Sequence, residues 1–477
     1  MVELAKGNPM PAAWVAAGAS ERIARLCAIL TGAAFLAWPA LLNVYPIIFV
    51  DTTHYVLQGR SGEVPWDKTA AYGLFLDLLA RSISLWLPVI GQVVMLSHLL
   101  WLVQRVCCGA VTPLRHLLLA GALALLTSAP WFASALMPDH FTSILVLGFY
   151  LLAFGDRRLA SWEWPWIAAL SALAAAVHLS HIPLGLGLLV LVMLLRRQLQ
   201  PVLRCAAPLL AALLFILGTN WITLGRVTLS PYGSVFLLAR LQEDGSAVRL
   251  LRDRCPNVGW YLCDFMDALP MDTDRFLWSP DSPPNRDAAG QPRQDGNIRL
   301  APEAAEVVAA TLRAYPLEVL RDGLANGVEQ LFRTRLRDTF SSADLQGFAE
   351  AALNEGFPSR ERKAFLASGQ MRHGMAQLPL GWVHQPVLLV AALIILGGWW
   401  RMAKSPPSER NPQRLGLVLF VLAGVTGNAF STGPLSKPHD RYQSRIAWLL
   451  PLGAILVLTP RASLPARPRG PHAIATA

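Results

Sequence analysis

Charge is scarce in this chain. Asp, Glu, Lys and Arg make up 15% of its 477 residues, while hydrophobic residues make up 54%; soluble globular domains usually carry ~25% charged residues. Lysine is scarce beside arginine, whereas Ala, Leu, Pro and Gly are abundant, a bias that suits a bacterium with a GC-rich genome. No Asn-x-Ser/Thr acceptor occurs, so nothing speaks for a glycosylated eukaryotic surface protein. A P-loop and a strand-anchored GxGxxG are both missing, which removes the common soluble nucleotide-binding arrangements. Internal repeats and coiled-coil heptads are missing too. So little charge makes lipid part of the solvent.

Apolar stretches are what the chain has instead. They recur at 26–43, 85–103, 117–136, 141–154, 164–177, 182–195, 203–224, 386–400, 415–430 and 446–458. Read as spans, they give an all-α polytopic membrane protein of about ten transmembrane helices. Several runs fall short of the ~20 residues a bilayer needs and must borrow interfacial neighbours such as Trp162, Trp164, His178 and Arg196. The fifth and sixth runs also suit one re-entrant pair. The segment before Arg22 has no compact cleavage signature, so the first run reads as an uncleaved signal anchor.

Arginines orient the series. With the N-terminus cytoplasmic, the even-numbered turns carry Arg105 and Arg115; Arg157 and Arg158; Arg196, Arg197 and Arg204; and Arg401, Lys404, Arg410 and Arg414. The tail adds Arg461, Arg467 and Arg469, while the short outward turns between helices three and four and between five and six carry no Lys or Arg. This positive-inside pattern places both termini in the cytoplasm of a bacterial inner membrane and accounts for the net charge of +10 without a nucleic-acid partner.

The chain then divides into a transmembrane module at 1–224 with a first outward loop at 44–84, a mostly helical periplasmic domain at 225–385, and helices eight to ten with the tail at 386–477. Within the outward domain, residues 302–337 read as two helices broken near Pro316. Leu317, Leu320, Leu324, Val328 and Leu331 share one face, which suits packing on the domain core ahead of a seat on the membrane surface. Cys27, Cys107, Cys108 and Cys205 fall in helices or on the cytoplasmic side. Cys255 and Cys263 fall in the outward domain, where an oxidising compartment permits a disulfide between them.

Polar groups gather at the outward rim. Asp51 directly follows the run Ile47–Val50, and a carboxylate at that level is costly unless it faces a cavity with a partner; the rival role is a helix cap. Asp139 stands in the short turn Pro138–His140 with the same two readings. His178 and His181 are one helical turn apart and would suit a divalent metal ion together with Asp51 or Asp139. Arg441 and Arg445 are a turn apart ahead of the last helix, with Lys437 behind them. A guanidinium fork fits a phosphate oxygen pair, and the alternative is an arginine that anchors the helix by snorkelling.

This layout resembles the GT-C superfamily of membrane glycosyltransferases, which includes protein mannosyltransferases and the aminoarabinose transferases of lipid A. The resemblance is carried by a first helix ending in Asp51, by His54 and Tyr55, and by an outer loop with Lys68 and Tyr72. Asp139 in the next outward turn, seven helices before a large outward segment, and the Arg441–Tyr442 pair complete it. The chain departs from the pattern where several members have paired acids, since Asp51 is followed by Thr, Thr and His, and in the length of its outward segment. The resemblance implies transfer of a sugar, by an inverting course, from a polyprenyl-phosphate carrier to a glycan, lipid or protein acceptor, with Asp51 as general base. Arg441, aided by Arg445 or Lys437, would stabilise the departing phosphate, and Asp139 with His140 or His181 would orient the sugar or hold a divalent ion. A polysaccharide polymerase or ligase, a transporter and a non-catalytic scaffold are the competing readings.

Overall fold

The computed structural model describes residues 18–62, 64–156, 158–336, 345–374, 381–406 and 411–460. Arg157, Arg410, Arg461, Arg467 and Arg469 of the charge pattern, and Arg337 at the end of the two-helix stretch, lie outside the described residues.

Each apolar run forms helix. The first gives α1 (Ala19–Leu36) and α2 (Trp38–Asn43), parted just before Pro39, which sits in the first turn of α2 where its missing N–H is harmless. The 44–84 loop contributes α3 (Val50–Ser61) and α4 (Ala70–Ala80). There follow α5 (Trp86–Cys108), α6 (Pro113–Leu126) and α7 (Ala129–Ser134), with Pro130 opening α7 after a break at Thr127 and Ser128. Next come α8 (His140–Phe154), α9 (Glu163–Ala176), α10 (His181–Arg196) and α11 (Leu199–Leu224). The long segment holds α12 (Gly233–Glu243), α13 (Ser246–Arg254), α14 (Thr273–Trp278), α15 (Gly296–Ala314), α16 (Pro316–Phe332), α17 (Leu345–Gly356), α18 (Ser359–Leu366) and α19 (Gly369–His373). The chain returns through α20 (Gly381–Lys404), α21 (Pro412–Thr432), α22 (Asp440–Ala447) and α23 (Leu449–Leu458).

Among the described residues no strand forms, and four helices, α5, α11, α20 and α21, are long and apolar enough to cross a membrane. The protein is an all-α membrane protein. At the middle of the bundle is α8, every residue of which is buried. Lipid supplies no hydrophobic drive between helices, so close packing and interhelical hydrogen bonds hold such a bundle. The Trp38 indole donating to the Ala124 carbonyl at 2.9 Å and Ser97 donating to that of Ile29 at 2.7 Å are examples.

The two ends of the bundle differ chemically. At one end Arg105 pairs with Glu163, Arg196 and Arg204 both pair with Asp156, and Arg414 donates to the Val457 and Thr459 carbonyls. These groups tie the C-terminal ends of α5, α8, α10 and α23 to the N-terminal ends of α9, α11 and α21. Asp139 and Ser180 stand at the opposite ends of α8 and α10.

The 225–385 segment is not a single unit. Residues of α12 to α15 share their own core, with Val235, Leu238, Leu251, Phe276, Leu300 and Val307 fully buried in it. Cys255 and Cys263 are disulfide-bonded beside this core, with Cα atoms 5.3 Å apart. In contrast α17 and α18 bury Leu345, Ala349, Leu353 and Phe365 in the core of the membrane helices. Glu361 of α18 accepts from the buried Tyr45 hydroxyl at 2.8 Å, and Gln370 of α19 pairs with both backbone groups of Ile48. The second half of the segment therefore clamps the chain just ahead of Asp51.

Candidate active site

A short bridge sets up the site. The Ile47 N–H donates to the Ser134 carbonyl at 3.1 Å and the Leu136 N–H to that of Ile47 at 2.9 Å, which lays the start of the 44–84 loop against the turn before α8. Thr52 locks the two together: its hydroxyl donates to the Leu136 carbonyl at 2.8 Å and accepts from the Phe49 N–H. The hydroxyl of Thr53 donates to the Val50 carbonyl. Both threonines that follow Asp51 thus serve the backbone, and only Asp51 presents its side chain to the site.

Asp51 lies in the first turn of α3, where the helix dipole favours a negative charge. Its Oδ1 is 3.3 Å from Lys68 Nζ and its Oδ2 is 3.4 Å from Arg441 Nη1. Neither role as a helix cap survives: the N-cap of α3 is Phe49, and the Asp139 side chain makes no capping bond to α8. Asp139 turns instead to arginines, with its Oδ1 3.1 Å from Arg445 Nη1 and 3.9 Å from Arg441 Nε. Asp51, Asp139 and Arg441, which begin in three distant parts of the chain, meet in one place.

Arg441 is the pivot. It bridges the two carboxylates, and its guanidinium carbon lies 4.4 Å over the Phe49 ring and 5.2 Å over that of Tyr442, a flat seat that suits the delocalised cation. Lys68 is nearly buried and shared between Asp51 and Asp67. Burial opposes ionisation of Asp51, yet Lys68 and Arg441 override it and hold the carboxyl at about 2, below its ordinary 3.8. Burial likewise works against the Lys68 cation, and Asp51 and Asp67 more than offset it, so its pKa is raised. The Asp51 carboxyl keeps 29% of its surface exposed, so the cluster opens on one side at the acid that would do chemistry.

Several expected site residues are occupied elsewhere. Arg445 is fully buried and spends its guanidinium on Asp139, on Asn428 at 2.9 Å and on Ser180 at 3.1 Å. It fixes α22 to α8, α10 and α21 and has no surface left for a ligand. Lys437 is drawn to Asp272 and Asp274 of the α14 region, away from Arg441, because those acids come within reach once the long segment folds. His181 shares hydrogen bonds through both ring nitrogens, with the Ala174 carbonyl at 2.6 Å and the Thr142 hydroxyl at 2.7 Å. His140 is bonded to the Gln92 carbonyl. A divalent ion does not fit this donor set: the rings of His140 and His181 are committed, and among the described residues no group of three His, Cys, Asp or Glu side chains could hold a metal.

Tyr55 and Tyr72 are both buried, meeting edge to face at 4.9 Å, and the Tyr72 hydroxyl donates to Gln92 at 2.8 Å. Lys68 Nζ stands 5.7 Å above the Tyr55 ring. His54 is exposed on α3. Tyr442 lies between the guanidinium groups of Arg441 and Arg445, with its ring edge-on to His439. Three supporting residues escaped the sequence reading: Asp67, Asn428 and Phe49. Asn428 alone had a signal, an amide inside the apolar run of α21.

The chain matches no family model, no curated protein and no solved structure. Geometry and sequence together carry the functional reading.

Proposed function

We propose that this chain is a bacterial inner-membrane glycosyltransferase of the GT-C kind, with about ten spans, both termini cytoplasmic and its site at the periplasmic face. The observation that carries the reading is Arg441 held between the carboxylates of Asp51 and Asp139, with Lys68 on the far side of Asp51. The segregation of arginine-tied helix ends from this cluster supports the orientation.

In the resting site the cations neutralise Asp51, and a carboxyl at about 2 is a weak base. A polyprenyl-phosphate sugar changes that balance. Its phosphate competes for Arg441 and Lys68, and each cation it takes leaves Asp51 less stabilised and more basic. Asp51 then accepts the proton of the acceptor O–H or N–H while the acceptor atom bonds to the anomeric carbon. The anomeric C–O bond breaks, and its electron pair leaves on the polyprenyl phosphate, which needs positive charge and no acid to depart. Lys68 replaces Lys437 as the second cation, Arg445 positions Asp139, and no step runs through a metal.

The experiment is transfer from lipid-linked sugar donors in proteoliposomes by the native chain and Asp51→Asn. Loss of ~10²–10⁴-fold in rate, the usual share of a general base, is expected. Retained transfer moves the base elsewhere, as in an arginine-driven polymerase or ligase. Unchanged function in the cell with alanine at both Asp51 and Arg441 leaves a scaffold.

A further inference from the structure

α16 is amphipathic in the wrong sense for a helix in water. Most of its polar side faces protein, with Arg321 and Glu329 the charged residues left exposed. Glu318 is held by Arg249 at 2.8 Å, Asn326 donates to Asp244 at 3.2 Å, and the buried Gln330 carboxamide pairs with His439, donating to its carbonyl at 2.8 Å and accepting from its N–H at 2.9 Å. Its apolar side faces away: Leu317 is 80% exposed, Leu320 58%, Leu324 51%, Val328 49% and Phe332 78%. Leu331, expected on the same face, turns inward against the membrane-helix core. The expected packing of this face on the domain core is therefore corrected. Large apolar side chains left in a continuous stripe mark a surface made for something other than water.

The fastening of α16 says what covers it. A Cβ on Gly327 would lie 2.4 Å from the Phe430 ring, and one on Gly433 2.5 Å from the Asn326 carbonyl oxygen. So α16 lies directly on the C-terminal end of α21, one of the helices long enough to cross the bilayer. Phe430 and Leu435, at that same end, are themselves exposed. The stripe thus continues the exposed apolar surface at the C-terminal end of α21, the end from which the chain runs on to α22 and Arg441.

We propose that α16 is an interfacial helix, with its Leu317–Phe332 face among the acyl chains of the leaflet on the site's side of the membrane. Arg321, exposed within the stripe and paired with Asp322, would extend its guanidinium to the headgroups, as long cations do at such boundaries. Gln330 grips His439, and the Arg335 N–H donates to Asp440 at 3.1 Å. The seat of α16 in lipid therefore sets where α22 begins, and with it Arg441. The inference rests on α21 as a span and not on glycosyl transfer, so its test reads position and not activity.

The test is nitroxide accessibility in full-length protein reconstituted in phosphatidylethanolamine–phosphatidylglycerol vesicles. Cys27, the exposed free thiol, is replaced by serine, and single cysteines are placed at Leu320, Leu324 and Val328, with one at Arg252 of α13 as a water-facing control. Collisions with oxygen are expected to exceed those with a water-soluble nickel chelate at the three α16 positions, and the order to reverse at Arg252. A surplus of nickel collisions on α16 would overturn the proposal, and so would low collision with both probes, which means that protein covers the face.

Discussion

Arg441 and Asp51 stand 390 residues apart in the chain and 3.4 Å apart in space. Two helices make that meeting: α3, pinned by Thr52 to the turn before α8, and α22, pinned by Arg445 to Asp139, Asn428 and Ser180. The contact is the output of two rigid attachments, which is how a partly exposed ion pair keeps its geometry against solvent competition. It also leaves Asp51 as the exposed member of the cluster, at 29% against 2% for Asp139.

That exposure and the paired cations fix a pH dependence. The folded-state pKa of Asp51 is lowered, to about 2 from 3.8. Its pairing therefore stabilises the fold above the unfolded value and is lost as pH falls through the folded one. In kcat/KM, which reports the free enzyme, the acid limb is expected near this low value. In kcat, which reports the complex, it is expected higher, because a bound phosphate draws Arg441 and Lys68 away. Arg441→Gln should lift the kcat/KM limb toward 3.8. Coincident limbs in kcat and kcat/KM, unmoved by that substitution, would mean that Asp51 is not the base.

Lys68 and Lys437 separate by role. Lys68→Met removes a cation 3.3 Å from Asp51 and is expected to weaken binding of a polyprenyl-phosphate analogue, a charge-assisted contact worth ~1.5–3 kcal/mol. Lys437→Met removes contacts to Asp272 and Asp274 instead. Analogue affinity should hardly change, while protease nicking of the 225–335 region should rise. Calorimetric titration of the analogue and limited proteolysis read the two effects. A larger affinity loss for Lys437→Met would return that residue to the site.

The sequence made some of this legible and hid the rest. Asp51, Asp139 and Arg441 stood out because each follows or precedes an apolar run, where an isolated charge needs a reason. Lys68 and Lys437 were equally plausible in one dimension; only the folding of α14, which brings Asp272 and Asp274 to Lys437, divides them. His181 sat where a ligand would sit, but Ala174 and Thr142 claim its ring from helices whose contacts no local pattern announces. For α16 the periodicity showed a stripe and not its direction, since lipid and protein core are both apolar and draw the same residues. The packing within 225–385 was hidden for a similar reason: α17 and α18 are polar enough to look like outward surface, yet they bury Leu345, Ala349, Leu353 and Phe365 in the core of the membrane helices.

The buried pair Arg445–Asp139 gives the sharpest structural prediction. Arg445 has no exposed surface and Asp139 almost none, so neither charge has water to fall back on if its partner is lost. Arg445→Met leaves the Asp139 carboxylate only its longer contact to Arg441 Nε at 3.9 Å, and Asp139→Asn strands part of the Arg445 fork. Each is expected to lower stability by ~3–5 kcal/mol, the usual result of leaving one member of a buried pair. The double variant Arg445→Met with Asp139→Leu should recover much of that loss, because a well-packed apolar pair avoids desolvating two charges. Midpoints of chemical unfolding in detergent, followed by tryptophan fluorescence, measure the cycle. Additive losses would show that the two side chains are not coupled. The same double variant separates fold from chemistry: Arg441 keeps Asp51 but loses Asp139, so analogue binding should persist in a folded protein whose Arg441 is less well aimed.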